Sequence, residues 1–321
     1  MQRQRRRVAC PRLERLEARS MPSPAAIGGG LTAIAAERSG PSRGMHVHRN
    51  LAYRPGPGPS GRLDVYTPAG PTPPGGRPTI LAIHGGGWRR FDKSDYGNSV
   101  ARLVREGYVV VSANYTLSAP GRPSWPENLE DVREAVRWTR RNASRFGIDP
   151  GRVVAMGESA GGHLAALLGT YPDGPVAPDV PPGSTGVGPG PGEVSARVDA
   201  VIDFYGPADL ADLTRQSPSA GKAVRQFLGG DPAQRPGRST SASPTALASP
   251  DDAPTLIVHG TADTLVPIAQ SEALAAALAR AGVPARLIAL PGAAHGFRLG
   301  AAGGSLVPAI LAFLGQAWED V

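Results

Sequence analysis

The segment Gly-Glu-Ser-Ala-Gly at residues 157–161 constrains the fold of this chain more than any other stretch. It follows a mostly apolar run and precedes Gly-His-Leu-Ala-Ala-Leu-Leu, so it predicts a strand, a very tight turn and a helix. A serine at the apex of that turn needs a positive φ, and side chains two residues away on either side would collide with their neighbours. Glycine at both positions removes those side chains. The pattern alone is weak in a chain with 42 glycines among 321 residues, so its partners elsewhere decide the interpretation.

A serine nucleophile needs a base and a carboxylate that orients the base. Asp263 lies in the run His-Gly-Thr-Ala-Asp-Thr-Leu-Val-Pro, which follows a predicted strand at 254–259. His295 follows the last predicted strand, at 285–290. Both loops come at carboxyl ends of strands, the edge where open α/β sheets bind ligands. The chain order Ser159, Asp263, His295 is that of an α/β-hydrolase, and we predict these three residues as the catalytic triad.

The run His-Gly-Gly-Gly-Trp at residues 84–88 supplies the remaining requirement, donors for a developing oxyanion. It directly follows a predicted strand at 79–83. A glycine run allows backbone N–H groups to turn towards a bound oxygen without obstruction. We predict that Gly86 and Gly87, with Ala160 at the start of the helix after the serine, form the oxyanion hole.

Predicted strands alternate with predicted helices from about residue 44 onwards. The strands are predicted at residues 63–66, 79–83, 108–115, 152–156, 198–205, 254–259 and 285–290. This alternation predicts an α/β fold, with a mostly parallel central sheet and helices on both faces. Residues 207–250 mix short helical pieces with loop and predict a small lid. Residues 171–197 include thirteen Pro or Gly and predict an irregular insertion.

The basic charge of the chain is concentrated at its start. Residues 1–43 hold nine Arg and three Glu, whereas residues 44–321 hold 25 basic and 24 acidic residues. We therefore predict one nearly neutral catalytic domain at 44–321 and no nucleic-acid partner. No apolar run reaches the roughly eighteen residues of a membrane span. With a single cysteine, Cys10, the chain has no intrachain disulfide framework.

Residues 1–43 allow two interpretations. The weak apolar stretch at 25–36 follows a basic region and has the length of a signal-peptide core, which favours a secreted or cell-envelope protein. The alternative is a basic, disordered tail on a cytoplasmic protein. Oligomeric state is not indicated by the sequence.

Five motifs in order resemble one known family. They are HGGGW at 84–88, GESAGGH at 157–163, YGPADL at 205–210, HGTADTLVP at 259–267 and AHGF at 294–297. Together they are similar to α/β-hydrolases of the hormone-sensitive-lipase-like carboxylesterase group, close to bacterial feruloyl- and acetyl-esterase-like (BD-FAE-like) proteins. The resemblance implies the same triad and oxyanion hole. Glu158 departs from it, because many relatives carry Asp there. Separately, residues 11–23 resemble a planctomycete cell-surface leader.

Other polar residues have plainer interpretations. Asp251 and Asp252 precede their strand and are expected to cap or face solvent, and Asp209 to fix the lid junction. Five histidines are expected to be structural or exposed: His46, His48, His84, His163 and His259. Trp88 and Phe297 either line an acyl pocket or simply pack. The chain has no metal-ligand spacing and no phosphate-binding glycine loop, so neither metal nor cofactor is expected.

The sequence predicts a serine hydrolase that cleaves small carboxylic esters through an acyl-enzyme. Its partner is then a small-molecule ester, and the resemblance adds acetyl or feruloyl esters of carbohydrates. An arylformamidase-type amidase and a prolyl-oligopeptidase-like peptidase share the triad, although HGGGW favours the esterase. A non-catalytic envelope binding module would carry a damaged triad or glycine loop, and neither is damaged.

Overall fold

A computed structural model describes residues 44–56, 58–174, 176, 194–297, 299 and 305–319. Within these ranges, eight strands form one sheet in the order β1-β2-β4-β3-β5-β6-β7-β8. The strands are β1 Met45–Ala52, β2 Arg62–Pro68, β3 Arg77–Ile83, β4 Val109–Ala113, β5 Ile148–Glu158, β6 Ala200–Phe204, β7 Thr255–Gly260 and β8 Ala285–Leu290. The leader or tail predicted at 1–43 and most of the insertion predicted at 171–197 lie outside the described residues.

The sheet is parallel from β4 through β8, and β1 and β2 add an antiparallel edge. In β3, Ile80 and Ala82 pack on one face of the sheet, with apolar residues of the helices at 97–105 and 307–319. Leu81 and Ile83 pack on the other face. Both faces are therefore covered by apolar layers, as a parallel sheet requires. The predicted α/β architecture is confirmed.

Ten helices flank the sheet in the part of the chain that the structure describes. They are α1 Gly97–Arg105, α2 Glu127–Arg141, α3 Ala143–Phe146, α4 Ala160–Thr170, α5 Leu210–Gln216, α6 Pro218–Leu228, α7 Pro236–Ser241, α8 Pro244–Leu247, α9 Ala269–Ala281 and α10 Val307–Glu319. Every residue of α4 is buried, in keeping with a composition dominated by Ala, Gly and Leu. None of the helices among the described residues combines the length and apolar character needed to cross a membrane.

Strand β1 has no counterpart among the predicted elements. Its sequence, Met-His-Val-His-Arg-Asn-Leu-Ala, is largely polar, and His46 and His48 are exposed. An edge strand with one solvated side has little apolar signal, so its existence depends on backbone pairing with β2. Helices α5 to α8 lie within the segment 207–250, where a lid is predicted.

Candidate active site

Ser159 occupies the sharp turn between β5 and α4. Its φ is 54°, the positive value predicted for the apex, and its N–H donates to the Phe204 carbonyl at 2.8 Å. A Cβ at Gly157 would overlap the carbonyl of Gly161, and a Cβ at Gly161 would overlap the carbonyl of Ile83. Only glycine fits at either position, so the turn presents the serine side chain by excluding its neighbours' side chains.

The three residues predicted as a triad lie in one hydrogen-bonded row. Ser159 Oγ is 3.0 Å from His295 Nε2, and His295 Nδ1 is 2.6 Å from Asp263 Oδ2. With Nδ1 protonated, the imidazole donates to the carboxylate and its Nε2 is left to accept the serine proton. This is the arrangement that nucleophile, base and orienting carboxylate adopt in serine hydrolases.

The carboxylate of Asp263 is held by donors on every side. Its Oδ1 accepts the backbone N–H groups of Leu265 and Val266, each at 2.9 Å. Its Oδ2 lies near the Nε2 of His259, at 3.3 Å, as well as near His295. Burial acts to raise the pKa of Asp263, but hydrogen bonds from His259, His295 and the backbone outweigh it and hold that pKa well below its usual range. Asp263 is therefore ionised across the physiological range.

His259 has a closer relation to the site than the sequence indicates. It is fully buried, and its Nε2 donates to the Val266 carbonyl at 2.8 Å while its Nδ1 accepts from the Ser271 hydroxyl at 2.6 Å. The sequence predicts a structural histidine here but not its contact with Asp263. The spacing of four residues between the two in the run His-Gly-Thr-Ala-Asp could have indicated that contact.

The glycine loop after β3 turns its backbone towards the serine. Gly86 and Gly87 have φ values of 101° and 60°, and within the described residues no oxygen accepts their N–H groups. The Tyr115 hydroxyl donates to the carbonyls of His84 and Gly85 at 2.9 and 3.1 Å, which fixes the start of the loop. Ala160 opens α4, where the first N–H groups have no acceptor inside the helix.

A cavity of about 520 Å³ opens over Ser159 and His295. Its size is in the range of small-molecule sites. Part of its wall comes from the segment predicted as a lid, through Pro207, Leu213, Ser219, Ala220 and Ala223. The two large apolar side chains that are most exposed among the described residues, Phe91 at 55% and Leu265 at 38%, both border it. Its border therefore includes exposed apolar surface.

The two aromatic residues with open alternatives behave differently. Trp88 borders the cavity, but it is 2% exposed and stacks on Phe227 at 4.5 Å, and its indole N–H donates to His163. Phe297 is not among the residues that line the cavity. It packs edge-on against Tyr205 at 4.6 Å, which favours the packing role for this side chain.

The remaining candidates of the sequence have local partners. His163 donates to the Ala242 carbonyl at 2.7 Å, and burial lowers its pKa to about 4. His84 stacks on Tyr115 and hydrogen-bonds the neighbouring carbonyl of the glycine loop. Asp209 caps α5, and Asp252 binds the backbone and hydroxyl of Ser249. No cluster of three or more His, Cys, Asp or Glu suited to a metal ion occurs in the described ranges.

Asp203 is a buried carboxyl that sequence reasoning missed. It ends β6 beneath the nucleophile turn, where its Oδ1 accepts the Gly206 N–H at 2.9 Å and would overlap a Cβ at Gly162. Its Oδ2 is buried without a hydrogen-bond partner. Burial raises its pKa to about 7, although the nearby His259 and the Gly206 N–H act to lower it. A single Asp inside an apolar strand was the available signal.

Known proteins are similar in sequence to most of this chain. The family model described as BD-FAE matches residues 63–278. Esterase LipC of Mycobacterium tuberculosis is 33% identical over 299 residues, which cover 88% of this chain and 70% of LipC. Esterase LipQ of the same organism is 32% identical over 83% of this chain, and this chain spans 63% of the length of LipQ.

The fold is also similar to that of solved esterases. A truncated carbohydrate esterase from gut microbiota superposes with a TM-score of 0.70 at 28% identity. The match covers 85% of this chain and 96% of that one. Nearly all of the carbohydrate esterase therefore has a structural counterpart in this chain.

Proposed function

Because this chain belongs to the BD-FAE family and is a carboxylic ester hydrolase with the α/β-hydrolase fold, we propose that Ser159, His295 and Asp263 carry out the hydrolysis. One observation carries the proposal. The row Ser159–His295–Asp263, with contacts of 3.0 and 2.6 Å, opens into a cavity of about 520 Å³ beside a glycine loop with unused N–H groups.

Acylation begins at the serine hydroxyl. His295 Nε2 takes the proton from Ser159 Oγ, which attacks the carbonyl carbon of the ester. Asp263 holds Nδ1–H and stabilises the imidazolium that forms. Its lowered pKa keeps the carboxylate ionised for this task. The alcohol then leaves with the proton from His295, and the acyl group stays on the serine oxygen.

The developing oxyanion needs donors that exist before the reaction. In our proposal the N–H groups of Gly86, Gly87 and Ala160 supply them, because no described residue accepts a hydrogen bond from any of the three and all border the cavity beside Ser159. Loss of one such donor typically reduces kcat by about 100- to 1000-fold. Water then attacks the acyl-enzyme while His295 takes its proton, and His295 returns that proton to Ser159 Oγ as the bond to the acyl carbon breaks and the free acid departs.

The substrate in this proposal is a small ester with an apolar portion near Phe91 and Leu265. The cavity volume and the two exposed apolar side chains at its border support this class. The similarity to a carbohydrate esterase adds acetyl or feruloyl esters of carbohydrates as the natural class. We assign residues 207–250 to a lid over the acyl or alcohol group, since five of their side chains or backbones border the cavity.

A panel of p-nitrophenyl esters of rising chain length, with acetylated xylan and methyl ferulate, tests the proposal. Wild-type protein should favour short esters, and Ser159→Ala should lower kcat by about 10⁴-fold or more. Ser144→Ala, which alters an exposed serine on α3, is the matched control and should retain full activity. Ester hydrolysis that survives in folded Ser159→Ala would refute the nucleophile. Turnover of long-chain esters alone would refute the substrate class.

A further inference from the structure

Arg89 places a cation over the glycine loop. Its backbone N–H donates to the Gly86 carbonyl at 3.2 Å, so the same turn holds Arg89 and presents Gly86 and Gly87. Its Nε and Nη2 atoms lie 3.8 Å from the position that a Cβ on Gly87 would occupy. The guanidinium therefore borders the cavity next to the proposed oxyanion donors.

Arg89 lacks the ion-pair partners that Arg54 and Arg140 have. None of the ion pairs among the described residues includes Arg89, and its Nε is buried with no hydrogen-bond partner there. By contrast, Arg54 pairs with Asp131 at 2.8 Å and Arg140 with Asp199 at 3.1 Å. The charge of Arg89 is therefore not balanced by a carboxylate of the described residues.

Two carboxylates border the same cavity, but neither forms an ion pair with Arg89. Asp95 is exposed at the rim, and its Oδ2 accepts the Asp92 N–H at 2.7 Å. Glu158 has interactions of its own. Apolar side chains also line the cavity, including Leu213, Ala223 and Val266. The exposed Arg90 borders it as well, with its guanidinium 5.6 Å from the centre of the Phe91 ring. An anion entering this cavity therefore meets Arg89, partly buried beside the glycine loop, and Arg90 at the exposed rim.

We propose that Arg89 forms a subsite for a carboxylate carried by the ester substrate, close to the scissile bond. A guanidinium matches a carboxylate geometrically through paired N–H donors, and Arg89 borders the cavity beside the proposed oxyanion donors. The inference rests on the proposed function, because the ester must react at Ser159 while its carboxylate contacts Arg89. Within the proposed class of small esters it favours those that carry a carboxylate, as esters of hydroxy acids or monoesters of dicarboxylic acids do, over otherwise similar neutral esters.

Matched substrate pairs test the subsite on both halves of the ester. On the alcohol half, 3- and 4-acetoxybenzoate are compared with the neutral 3- and 4-acetoxybenzamide. On the acyl half, the 4-methylumbelliferyl monoester of succinate is compared with the butyrate. Arg89→Met should lower kcat/KM for the anionic members of at least one half by about 10- to 100-fold. Their neutral partners should change by about twofold or less.

Two further variants separate charge from structure. Arg89→Lys keeps the charge without the paired donors and should show an intermediate loss. Arg215→Met removes the same charge from an exposed helix site and should leave the preference unchanged. Equal losses for charged and neutral esters in Arg89→Met would assign the residue a purely structural role and overturn the proposal. No loss in either half would also overturn it.

A binding measurement tests the subsite without turnover. Titration of 4-acetoxybenzoate into Ser159→Ala should give a Kd about tenfold lower than titration into Ser159→Ala with Arg89→Met, and equal values would contradict the subsite. The experiments distinguish failure of the Arg89 subsite from failure of the proposed function. If neutral esters are hydrolysed through Ser159 but Arg89 shows no charge-selective effect, only the subsite fails. If Ser159→Ala hydrolyses esters like wild type, the proposed function itself fails.

Discussion

The difference in free energy of unfolding between Asp203→Asn and wild type should increase in favour of the variant as the pH rises. Asp203 is fully buried, and its Oδ2 has no hydrogen-bond partner. Burial raises its pKa from about 3.8 to about 7 in the folded protein, against the opposing effects of His259 and the Gly206 N–H. Asn has nearly the same shape but cannot ionise, so it removes the cost of placing a charge there.

The magnitude follows from the difference in proton binding between the two states. Between about pH 4 and pH 7 the unfolded chain ionises at this position while the folded protein keeps its proton. The contribution of the neutral carboxyl is therefore complete below pH 4 and is lost as the pH rises to 7, at about 1.4 kcal/mol per pH unit. Over roughly three units, the free energy of unfolding of Asp203→Asn should rise by about 4 kcal/mol relative to wild type.

Urea unfolding of both proteins from pH 4 to pH 8 measures this difference, and contributions shared by the two proteins cancel. Asp231→Asn provides a control of opposite sign, because hydrogen bonds from Arg225 and the backbone lower the pKa of that exposed carboxyl. Its difference from wild type should fall slightly between pH 4 and about pH 5, where the unfolded carboxyl finishes ionising, and stay level at higher pH. A difference for Asp203→Asn that stays level across the range would refute the raised pKa and the buried, neutral state of the carboxyl.

Further substitutions test the supports of the site. His259→Gln should lower kcat by about 10- to 100-fold and raise the pKa of Asp263, because it removes a donor to that carboxylate. The pH–rate profile of this variant should change shape. Ser271→Ala should give a smaller loss of kcat. Unchanged kinetics in His259→Gln would contradict a positioning role. Gly161→Ala should unfold the nucleophile turn, since its Cβ overlaps backbone, whereas Gly315→Ala in α10 should stabilise by about 0.5–1 kcal/mol. Thermal unfolding of both variants checks those signs, and equal shifts would contradict the packing argument.

The residues of the proposed triad could be predicted because each lies in a short run with its own chemistry. The glycines around Ser159, the glycine run before Trp88, and the loops that hold Asp263 and His295 are all readable from consecutive residues. The parallel sheet then follows from the alternation of apolar runs and helix patterns. Because the strands are parallel, the loops that follow them all lie at one edge of the sheet. The proximity of these loops could therefore be predicted from the order of the strands and helices alone.

Most of the features that escaped prediction depend on how elements pack. The contact of His259 with Asp263 joins residues only four apart, but it depends on the turn after β7. The carboxyl of Asp203 becomes buried only when α4 covers β6. Strand β1 shows a period of two only over Met45-His-Val-His48, because the register shifts between His48 and Leu51, and pairing with β2 extends it to Ala52. The unpaired state of Arg89 is likewise a property of the folded loop.

Mass spectrometry of the labelled protein tests the central claim most directly. A fluorophosphonate probe should add one equivalent to wild-type protein, and peptide mapping should place it on Ser159. His295→Asn should react much more slowly, because the base that activates the serine is gone, and Ser159→Ala should stay unlabelled. Labelling of another residue, or equal labelling of wild type and Ser159→Ala, would contradict the assignment of Ser159 as the nucleophile.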